Sequence, residues 1–193
     1  LSELQDIYIK IKEAYDDNKN IELLTHEMTR LYSYAYNNFV DSNSDYEEND
    51  IRTIFKFCLD PARPVKLQKA TIACFVNIFR QNQTIIMAQL LEDGILQLLF
   101  NSLNTNDKTF YAPIIQCVAN ISSDPDLSKD YKDQIYELFS LNYMKKLIFG
   151  YPSINNIIAA SNLISSYCQH PNFDDDYKSI QDQTTIFDFI FTA

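Results

Sequence analysis

The stretch from Lys69 to Arg80 reads KATIACFVNIFR, and two later stretches follow its rule. Ala112 to Ser123 reads APIIQCVANISS, and Ile154 to Ser165 reads INNIIAASNLIS. Laid over one another, they bring Asn77, Asn120 and Asn162 into one column, 43 and 42 residues apart. Three residues before each Asn stands a small side chain (Cys74, Cys117, Ala159). One residue after it stands a branched one (Ile78, Ile121, Leu163), and five before it an isoleucine (Ile72, Ile115, Ile157). A second element keeps the same period. Glu92-Asp93-Gly94-Ile95 opens a short apolar run, as does Glu48-Asn49-Asp50-Ile51, 44 residues earlier. Leu141-Asn142-Tyr143-Met144 marks a third, with lengths shifted by a few residues. A unit of this size cannot bury its apolar face alone, whereas stacked neighbours share one continuous core.

Outward from the repeat, apolar residues recur at helical spacing. Leu4, Ile7, Ile11, Ala14 and Tyr15 line one face near the start. Ile21, Leu24, Met28, Leu31, Tyr32, Ala35 and Phe39 line another. Further helices are predicted near 50–59, 64–81, 84–92, 94–103, 108–122, 129–140, 142–149 and 152–169. Pro64, Pro113 and Pro152 fall near helix starts, where a missing N–H costs little. Asp124-Pro125-Asp126 and His170-Pro171-Asn172 read as stops. The expected organisation is therefore a helical cap or degenerate repeat over 1–40 and an acidic loop over 41–49. Repeats follow over 50–170, then an acidic linker and a β-branched, aromatic capping segment over 171–193.

The period in the low forties, the D-G-I start of a short helix and the A-x-x-N-[IL] pattern of a longer one resemble armadillo repeats. The resemblance covers about 50–170. It implies an all-α, right-handed α-solenoid of about three to four armadillo-like repeats, as against an ordinary helical bundle. It also implies a groove lined by the third helices, where an Asn amide, donor and acceptor at once, clamps the backbone of an extended peptide. By that resemblance Asn77, Asn120 and Asn162 are groove residues. The residues themselves leave a second reading open, in which each Asn satisfies a neighbouring helix end or turn.

Spacing sorts the rest of the groove. On the first long helix Leu67, Ile72, Phe75, Ile78 and Phe79 gather on one side; Lys66, Lys69, Ala73, Asn77 and Arg80 gather on the other. The next helix offers Gln116 and Asn120, and the last Ile154, Ile158 and Asn162. The groove thus grades from basic through neutral to apolar, which fits a protein or peptide partner with an acidic segment and hydrophobic anchors. Adaptors of nuclear import in this family carry Trp four residues before each groove Asn. Here Ala73, Gln116 and Ile158 stand there, and no Trp occurs in the chain, which argues against that role.

Composition excludes other classes. The net charge is −10, so nucleic acid is not an expected partner, since phosphate binding needs a basic face. Two glycines, Gly94 and Gly150, cannot build a phosphate-cradling loop. His26 and His170 stand far apart with no zinc spacing, and no metal or cofactor is expected. The acidic runs 45–48 and 174–176 lack the spacing and turn Gly of a calcium loop. His170, ahead of Pro171, reads as a cap on helix carbonyls. Cys58, Cys74, Cys117 and Cys168 sit in apolar helical stretches as free thiols, which places the chain in cytoplasm or nucleus. No signal peptide and no membrane span are expected, and the missing initiator Met reads as a processed or excised chain. The expected function is a non-enzymatic interaction scaffold or adaptor. The alternative is a regulatory module gripping a folded domain, in the manner of chaperone nucleotide-exchange factors or the GTPase-binding regions of formins.

Overall fold

The computed structural model describes residues 2–40, 48–81, 85–104 and 107–181, and every regular element in them is helical. The chain runs α1 (Glu3–Asp16), α2 (Ile21–Asn37), α3 (Glu48–Leu59), α4 (Val65–Phe79), α5 (Ile85–Glu92) and α6 (Ile95–Ser102). It continues with α7 (Tyr111–Ser122), α8 (Lys129–Leu138), α9 (Leu141–Gly150), α10 (Ile154–Ser166) and α11 (Phe173–Gln181). Single 3-10 turns precede α7 (Lys108–Phe110) and follow α10 (Tyr167–Gln169). The acidic loop and the aromatic tail expected at 41–47 and 184–191 lie outside the described residues. No described helix is long and apolar enough to cross a membrane.

Local chemistry sets the boundaries. Ser2 and Gln5 form a reciprocal capping box on α1, and Asn20, Ser140 and Ser153 each accept a backbone N–H in the first turns of α2, α9 and α10. Pro64 occupies the N-cap of α4, and Pro113 lies in the first turn of α7. Gly94 joins α5 to α6 with φ +79°, a left-handed backbone that a side chain adopts only with strain.

The long helices pack in series. α2 lies on α4, α4 on α7, and α7 on α10, while α1 packs on α2 and α3, and α3 on α4 and α6. One hydrophobic core runs unbroken from Leu4 to Phe173. Phe55, Phe75, Phe79, Phe110 and Phe139 are fully buried in it, with Phe55 edge-on to Phe75 at 5.2 Å and Phe100 edge-on to Phe139 at 5.4 Å. Most of the aromatic residues therefore pack the core. Leu67, Ile72, Phe75, Ile78 and Phe79 are all buried, as the spacing on α4 predicts.

At the first joint, Arg30 of α2 ties two helices together. Its guanidinium donates to Glu27 at 2.7 Å and to Asp6 of α1 at 3.0 Å. Bonding to Arg30 and then Lys10 holds the Asp6 carboxyl below its ordinary range. All four cysteines are free thiols. Burial pushes Cys58 up to about 12 and raises Cys74 and Cys117 further. Cys168 differs from the sequence expectation: it stands in the turn after α10 and is exposed.

Candidate functional site

The row α2–α4–α7–α10 turns one stripe of side chains away from the core. Its asparagines are joints between helices. The Asn77 side chain is only 4 % exposed, and its Nδ2 donates to the Tyr32 carbonyl of α2 at 3.1 Å. Asn120 donates to the Val76 carbonyl of α4 at 2.9 Å, and its Oδ1 accepts from Gln116 Nε2 at 2.8 Å. Asn162 on α10 is exposed and donates to Gln116 Oε1 at 3.1 Å. Gln116, Asn120 and Asn162 thus form one relay of amides from α10 through α7 to α4. The thiols repeat the pattern, with Cys74 Sγ donating to the Met28 carbonyl and Cys117 Sγ to that of Ile72.

Two of the three asparagine donors therefore go to backbone carbonyls on the preceding row helix. The third goes to an amide there. The small residue three positions earlier is explained by the same approach: Cys74, Cys117 and Ala159 are buried in the joint.

The cations behave differently. Lys66, Lys69 and Arg80 are exposed along α4. Lys69 Nζ meets Asp107 Oδ2 at 2.7 Å and lies 5.5 Å from the Phe110 ring centroid. The Lys69 bond, with two further bonds from Thr109, holds the Asp107 carboxyl down at about 2. Arg80 donates to the Tyr36 carbonyl at 3.1 Å, with its guanidinium 5.2 Å from the Tyr36 ring centroid. At the other end of the row, Ile154 is 74 % and Ile158 53 % exposed, on the same side of α10 as Asn162 and Ser165.

A cleft of about 970 Å³ opens where α7 and α10 end, walled by the start of α8 and the turn after α10. Sequence reasoning did not find it, since its walls come from four separate elements. Among the polar groups that line it, the Ser122 and Ser166 hydroxyls stand 2.6 Å apart. His170 forms part of its rim, and the structure corrects the capping role expected of it. The imidazole stacks on Tyr136 at 3.7 Å between centroids, Nε2 lies 3.3 Å from Asp133, and Nδ1 accepts the Asn172 N–H. These partners are a ring, a carboxylate and a backbone N–H, so the His170 ring fastens the turn to α8. Burial, then the 2.6 Å bond to Asp176, raises the Tyr136 hydroxyl. No group of three His, Cys, Asp or Glu side chains suited to a metal ion occurs among the described residues.

Comparison with known proteins finds no matching family model, no matching curated protein and no matching solved structure.

Proposed function

We propose that the chain is a right-handed, armadillo-like array that acts as a protein-interaction scaffold or adaptor, with no catalytic role. The observation that carries this reading is the outward stripe of the helix row, which presents large apolar side chains to solvent at both ends. Tyr32 and Tyr36 stand on α2, and Ile154 and Ile158 on α10. Exposed apolar groups set among amides and hydroxyls are characteristic of surfaces that another protein covers. The four serial long helices and the period of the asparagine column support the array.

The occupant in this reading is an extended segment of a partner protein, inside the cytoplasm or nucleus. Its grip differs from the amide clamp that the resemblance implies, because the Asn77 and Asn120 amides already bond within the row. Side chains of the stripe must supply the contacts instead.

A second reading, in which the array grips a folded domain, draws on Phe39, which is 56 % exposed just past the end of α2. Capture from native lysate by the wild-type chain and by an Ile154→Asp/Ile158→Asp variant separates the two. Both isoleucines face solvent, so the variant keeps its circular dichroism and thermal midpoint. Loss of specific partners supports the extended-segment reading. An unchanged set, lost instead on Phe39→Ala, supports the folded-domain reading. If neither variant changes the set, the scaffold proposal fails at this stripe.

A further inference from the structure

Charge is unevenly spread along the chain. Between Pro61 and Leu91 stand four cations, Arg63, Lys66, Lys69 and Arg80, and no carboxylate, in a protein of net charge −10. The fold then sorts these cations. Arg63 lies over the Phe57 ring, 4.4 Å from its centroid, and pairs with Asp60 at 3.6 Å. Lys66, Lys69 and Arg80 remain along the exposed side of α4. On α3, by contrast, Arg52 and Lys56 both converge on Asp93, at 3.3 and 3.4 Å, and share its carboxylate. Lys69 has Asp107 as its partner, but neither Lys66 nor Arg80 forms an ion pair among the described residues. The α4 stripe therefore keeps an excess of positive charge inside an acidic molecule.

Two exposed rings lie beside it. Tyr32 and Tyr36 of α2 stand at the α2–α4 joint, where Asn77 reaches the first residue's carbonyl and Arg80 the second's. From Lys66 to Arg80 the helix rises by about 21 Å, the reach of roughly six or seven extended residues.

Resting on the interaction reading above, we propose that the α2–α4 face seats an acidic linear segment of a partner protein. Its carboxylates meet Lys66, Lys69 and Arg80, and one apolar anchor lies against Tyr32 and Tyr36. Charge complementarity selects this occupant over a basic or neutral one. With the Asn77 amide already bonded to α2, recognition on α4 comes from side-chain charge and ring contact, and it weakens as salt screens it.

Fluorescence anisotropy on the full chain tests the proposal. The probe is a fluorescein-labelled peptide of about eight residues, Asp and Glu with one central Phe. Its lysine counterpart and a single-stranded oligonucleotide of matched charge serve as comparisons. The expected result is binding of the acidic peptide alone, weakened by salt. Lys66→Gln/Lys69→Gln weakens it about tenfold, while Lys145→Gln/Lys146→Gln on α9, with the same change in net charge, alters it less than about twofold. Lys66→Glu serves as a second variant and is expected to weaken binding at least as much, since Lys66 forms no ion pair among the described residues whose loss would disturb folding. No binding of the acidic peptide at low salt, an equal loss in the α9 variant, or tighter binding of the oligonucleotide overturns the proposal. The Ile154/Ile158 experiment remains independent of all three.

Discussion

Asn77, Asn120 and Asn162 share one column of the sequence but stand at three depths, and depth sets the energetic weight of each. Asn77 is buried with its donor engaged, so Asn77→Ala removes a buried bond and leaves a small cavity. It is expected to cost about 1–2 kcal/mol in urea unfolding. Asn162→Ala, at the exposed end of the relay, is expected to stay within about 0.5 kcal/mol. Equal costs at both positions would contradict the depth argument.

Asp107 supplies a second residue-level expectation. Its folded carboxyl titrates at about 2, below the ordinary value of 3.8. A depressed carboxylate contributes stability above its unfolded pKa and loses that contribution as pH falls through the folded one. The stability difference between wild type and Asp107→Asn should therefore shrink between about pH 4 and pH 2. A difference that is flat across that window would show that the Lys69 bond adds nothing. The asparagine column itself was legible in the sequence. Its role was not, because a carboxamide is equally suited to a peptide outside and a carbonyl inside, and only the distance between α2 and α4 decides between them.

The helices show how far pattern reaches. Spacing placed α4, α5, α6 and α7 within a residue or three of their observed ends, since caps and apolar period agree there. It carried the eighth helix to residue 140, whereas the helix stops at Leu138. Phe139 adopts φ −107° and ψ 46°, and Ser140 leaves the helix to cap α9. The serine signal was present in the sequence, but the apolar run across Leu138, Phe139 and Leu141 concealed the break. Gly94 is the clearest element-level test. A Cβ there meets nothing within 4 Å, so the cost of Gly94→Ala is purely one of backbone conformation. A loss of about 1 kcal/mol is expected in thermal or urea unfolding, with binding unchanged. No loss would mean that the α5–α6 turn relaxes out of its left-handed conformation.

Across the whole molecule, the three similar sequence segments lie on α4, α7 and α10, and these helices pack in series. The cleft beside His170 was hidden because it is assembled from the ends of α7 and α10, the start of α8 and a 3-10 turn, and the asparagine pattern on the two long helices says nothing of how their ends meet the others. The stacking of His170 on Tyr136 was hidden for the same reason: a single His before a Pro carries no sign of the ring that will cover it. The imbalance of charge around α4 was present in the sequence. What the sequence withheld was where the fold sets carboxylates beside each cation: among the described residues Lys66 and Arg80 pair with none, while Arg52 and Lys56 share Asp93.

The bonds that tie the row together reach back by one helix of the series: α4 to α2, α7 to α4, α10 to α7. A molecule fastened in this way has a mechanical character of its own. Pulled from its two ends, it should come apart joint by joint, because tension broken at one fastening is not shared by the next. A force–extension trace would then show a sawtooth of modest, similar steps, where a domain knitted together across its full length would give one tall rupture.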